Sequence, residues 1–128
     1  MDVKFGCVGY DGGFVSGALN ITDVSDLSNY LNRTTGVRRT YGYGGPDATT
    51  LQTEASAYRN GSSGECGAMA LRFADLNFTF RPGSNRIYVN MTDEPNQPNG
   101  HTKWSVESVN SNSEYYDWNT ARGTIHTV

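Results

Sequence analysis

Asp93 and Glu94 follow the short alternating run Ile87-Tyr-Val-Asn-Met-Thr92 and stand directly before Pro95. Two carboxylates there could hold a cation or a polar partner, because open α/β sheets gather their ligand sites beyond the carboxyl ends of strands. Ile87, Val89 and Met91 alternate with Tyr88, Asn90 and Thr92, which predicts a buried strand over Arg86–Thr92. Pro95 cannot donate to a ladder, so the strand should stop near Asp93. Glu65 opens a helical pattern, and Asp47 sits in Gly44-Gly-Pro-Asp47. Each carboxylate has a plainer role beside the chemical one. Asp93 and Glu94 suit a polar strand exit, Glu65 suits the positive end of a helix, and Asp47 suits a turn.

Other chemistry finds less support. His101 and His126 lack the spacing of a metal pair, and no Gly-x-Ser-x-Gly occurs. Gly42-Tyr-Gly-Gly45 is not followed by the lysine of a phosphate-binding loop. An acid pair of Glu65 and Asp93 is the one hydrolytic arrangement left open. Trp104, Tyr115, Tyr116 and Trp118 could stack on a sugar, although packing of a helix face explains them more cheaply. Cys7 and Cys66 could close a long loop, or both could be buried thiols. Their separation excludes a Cys-x-x-Cys redox or zinc pattern.

The elements that must position these groups alternate in type. Val3–Tyr10 and Phe14–Ile21 read as strands about a turn at Asp11-Gly-Gly13, and Val24–Leu31 reads as a helix capped by Thr22 or Asp23. Thr50–Tyr58 could form a short helix within the irregular segment Tyr41–Gly64. Glu65–Leu76 has helical period, with Met69, Leu71, Phe73 and Leu76 as its apolar side. Trp104–Trp118 is expected to be helical, with His101 in a loop, and Thr124–Val128 to be a last strand with His126 packed. Strands alternating with helices imply an α/β fold: a doubly wound, mainly parallel sheet with helices on both faces. The 128 residues fit a single domain. A net charge of −3, with Arg38-Arg39 as the one basic doublet, argues against a nucleic-acid backbone as partner. No apolar run approaches the length of a membrane span. Asn-x-Ser/Thr triplets at Asn20, Asn32, Asn60, Asn77 and Asn90 are expected in a chain so rich in these residues.

Taken in order, these pieces resemble a von Willebrand factor A-type (integrin I-like) domain. The likeness rests on the first two strands, the helix phrase Asp23–Leu31, and Gly44-Gly-Pro-Asp47. Gly64-Glu-Cys-Gly-Ala-Met-Ala-Leu71, the strand ending Thr92-Asp93, and Gly123-Thr-Ile-His-Thr-Val128 complete it. Nothing in the chain matches the family's Asp-x-Ser-x-Ser motif or its first, central strand. The resemblance implies a Rossmann-like sheet and an adhesion site in which a cation, Mg²⁺ or Ca²⁺, meets a partner's carboxylate. Carried over by position, Glu65 and Asp93 would be metal ligands, with Asp47 and Glu94 beside them on the ligand-binding surface.

The functional expectation is an extracellular or cell-surface binding module, not an enzyme. Its partner would be a protein, less readily a glycan, held by the loops at the carboxyl edge of the sheet. A sheet lacking its middle strand would also leave edges open to self-association. The rival readings are a hydrolase using Glu65 and Asp93, and a structural domain without a site.

Overall fold

The structure is a computed structural model that describes residues 2–11, 14–32, 51–58, 67–93 and 120–128. It is mixed α/β. In chain order the elements are β1 (Phe5–Asp11), β2 (Phe14–Thr22), α1 (Val24–Leu31), α2 (Gln52–Ala57), α3 (Gly67–Asn77), β3 (Ile87–Asn90) and β4 (Thr124–Thr127). A single 3-10 turn, Thr120–Arg122, precedes β4. The expected helix over 104–118 and the turn at Gly12-Gly13 lie outside the described residues, as does His101.

The strands form two separate pairs: β1 with β2 antiparallel, and β3 with β4 parallel. Among the described residues the sheets are thus small, one antiparallel and one parallel. In the hairpin, Gly9 faces Gly17 while Tyr10 faces Val15, and Phe5 faces Thr22 while Cys7 faces Leu19. Each shift places one extra residue in β2, so both bulges belong to that strand. The first of them brings Val15 and Ala18 to the same side despite their odd spacing. There they join Leu51, Ala55, Ala68, Met69 and Phe73 in one buried cluster. Leu19, of opposite parity to Ala18, is also fully buried, so both faces of the hairpin are covered.

Helix α3 lies across both pairs. Its start abuts β3's last residue, since a Cβ on Gly67 would fall 2.7 Å from the Asn90 amide nitrogen. Beyond its end, the Phe78 ring fills the space against Gly6 that a side chain would need. Asp75, two residues from the end, accepts bonds from Arg86 at 3.2 Å and Tyr88 Oη at 3.3 Å, at the beginning of β3. The helix thus runs antiparallel to β1 and β3 alike, and the two strands run in the same direction.

Asp75 is the polar anchor of the second pair. Its side chain is only 10% exposed, and Arg122 adds a second guanidinium at 3.3 Å. Arg86 also stacks over the Phe80 ring at 4.2 Å. Gly123, at φ +138°, then turns the chain into β4 so closely that a Cβ would lie 2.5 Å from the Arg86 carbonyl oxygen. That approach lets Thr124 donate to the same oxygen at 3.0 Å and sets the register Ile87↔Thr124.

Several expectations are corrected here. The strand ends at Asn90, short of Thr92. Its apolar row is not buried: Ile87, Val89 and Met91 are 70%, 50% and 76% exposed, whereas Tyr88 is buried. The alternation is present with its sense inverted, because Tyr88 turns toward Asp75 and packs edge-on to Phe80. Leu76 is likewise exposed, since the inward stripe of α3 passes through Met69, Ala70, Phe73 and Ala74. His126 stands opposite Val89 on the exposed side of β4 rather than packed. Asp23, the residue before α1, makes no capping bond with its side chain and pairs with Lys4 instead.

Two outcomes test the Asp75 anchor. Asp75→Ala should lower unfolding stability by about 2–3 kcal/mol in urea melts, because it strands two half-buried guanidiniums, and Asp75→Asn should lose about half of that. Burial, and then the Asp75 carboxylate, push the Tyr88 phenol up to about 12, while Arg86 pulls the other way. The folded state therefore holds this proton more tightly than the unfolded chain does. The associated stability is complete below about pH 10, the ordinary tyrosine value, and is lost toward about 12. Tyr88→Phe should flatten the fall in stability across that window.

Candidate functional site

The carboxyl ends of β1 and β3 meet at one rim beside the amino end of α3. Tyr10 Oη donates to Asn90 Oδ1 at 3.1 Å, joining the two strand pairs across 80 positions of sequence. Asn90 is held from the other side by Gly67, whose lack of a side chain leaves room for the amide. Tyr10 also packs against the buried cluster, so this bond sits on the α3 face of both strands. The aromatic residue brings apolar contact and a hydroxyl together, which suits a position half in the core and half at a polar edge.

Beyond Asn90 the chain continues beside β4 for two more bonds. Val128 N–H donates to the Asn90 carbonyl at 2.9 Å, and Thr92 N–H donates to the Val128 carbonyl at 3.2 Å. These place Asp93 just past the paired residues, exposed at the rim. The geometry therefore puts one of the expected ligands at the carboxyl end of a parallel strand. Glu65, Asp47, Glu94 and Cys66 lie outside the described residues, so their distances to Asp93 are not part of the described rim. Cys7 is half-buried and, by alternation with Gly6 and Val8, occupies the face of β1 turned away from α3.

One carboxylate is not a cation site. Hard divalent ions take six or more oxygen ligands, and among the described residues no group of three or more His, Cys, Asp or Glu side chains could hold a metal ion. Compared with family models, with curated proteins and with solved structures, the chain matches none. Among the described residues no helix is long and apolar enough to cross a membrane.

Sequence reasoning passed over Tyr10, Asn90 and Gly67, the residues that assemble the rim. Asn90 carried a signal: it is the polar member of the Tyr88–Asn90 face, two residues from the strand end. Gly67 carried one too, since a glycine opening a helix has low propensity and asks for a reason of space. The pair should be coupled. Tyr10→Phe and Asn90→Ala should each cost about 1 kcal/mol, and the double variant little more than Asn90→Ala alone, in a double-mutant cycle by urea melting.

Proposed function

We propose that this chain is a protein-binding module of von Willebrand A-like, doubly wound architecture that contacts its partner through the loops at the carboxyl rim. The observation that carries the reading is the Tyr10–Asn90 bond, which gathers the ends of β1 and β3 and the start of α3 beneath exposed Asp93. Rim loops on a rigid scaffold are where binding residues concentrate. The antiparallel first pair, the parallel second pair and their order along the chain also agree with the resemblance.

On this reading Asp93 and Glu65 supply carboxylates to a divalent cation, with Asp47 and Glu94 flanking it. The cation offers an open coordination position to a carboxylate of the partner, and no bond is broken. Asn90 and Tyr10 act as positioning residues, holding the strand ends at fixed separation. A protein at the cell surface or outside the cell is the partner class that this chemistry serves, with a glycan the less favoured ligand.

Manganese alone is a suitable reporter, because its unpaired electrons broaden the resonances of nearby nuclei. In a titration with MnCl₂, amides of residues 90–93 and of the first turn of α3 should broaden selectively and saturably. Asp93→Asn should abolish the effect without changing the rest of the spectrum. Weak broadening spread over the surface carboxylates, unaltered by that substitution, would contradict the cation site.

A further inference from the structure

We draw no further inference here: the strongest candidate, the exposed apolar row of Ile87, Val89 and Met91 along the face of β3 turned away from α3, carries nothing because nothing in the structure shows what covers it.

Discussion

Helix α3 crosses two strand pairs that make no backbone bonds to each other, and the rest of the described structure is arranged to keep it there. Of its buried residues, Ala68, Met69 and Phe73 join the cluster on the hairpin side. Its polar residue, Asp75, reaches the other pair through Arg86, Tyr88 and Arg122. One helix therefore uses apolar burial toward β1 and β2 and charge-assisted bonds toward β3 and β4. The two contacts differ in kind, since burial is non-directional and tolerant whereas a carboxylate shared by two guanidiniums and a phenol demands geometry. The register of the second pair is fixed by the second contact, with Gly123 permitting the approach.

This division explains where polarity enters the interior. The hairpin side needs small residues to let α2 and α3 come close, and Ala18, Ala55 and Ala68 provide them at almost no exposure. The β3 side carries the aromatic chain Phe78, Phe80 and Tyr88, which bridges the wider interval that small residues would leave empty. At the carboxyl rim the same interval is crossed by the Tyr10–Asn90 bond. The rim is thus the consequence of one arrangement among the described residues: strands held parallel by a helix and side chains instead of by each other.

Much of the element order was legible in the sequence, and for physical reasons. Val24–Leu31 has apolar residues at three- and four-residue spacing and is a helix over those same residues. Phe14–Thr22 stops at the helix-opening Asp23, and Thr124–Thr127 begins directly after Gly123. Burial was less legible. In Ile87-Tyr-Val-Asn90 alternation defines two faces but not which one meets the core, and the choice fell to Tyr88 because Asp75 could satisfy its hydroxyl. Asp75 itself was hidden in an apolar helix, where a lone acid reads as surface until two distant arginines are brought to it. Of the candidate site, Asp93 was found from its place after a strand, while Tyr10, Asn90 and Gly67 depend on a contact between strands that spacing along the chain does not encode.

The most direct test of this arrangement is the pattern of nuclear Overhauser effects in the isotopically labelled protein. Contacts are expected from the Tyr10 ring to the Asn90 side-chain amide, from the Phe78 ring to the Gly6 α protons, and from the Phe80 ring to Tyr88. No backbone contact should connect β1 to β3. Interstrand α-proton to amide contacts between residues 6–10 and 87–91 would contradict it, because they would mean that β1 and β3 pair directly.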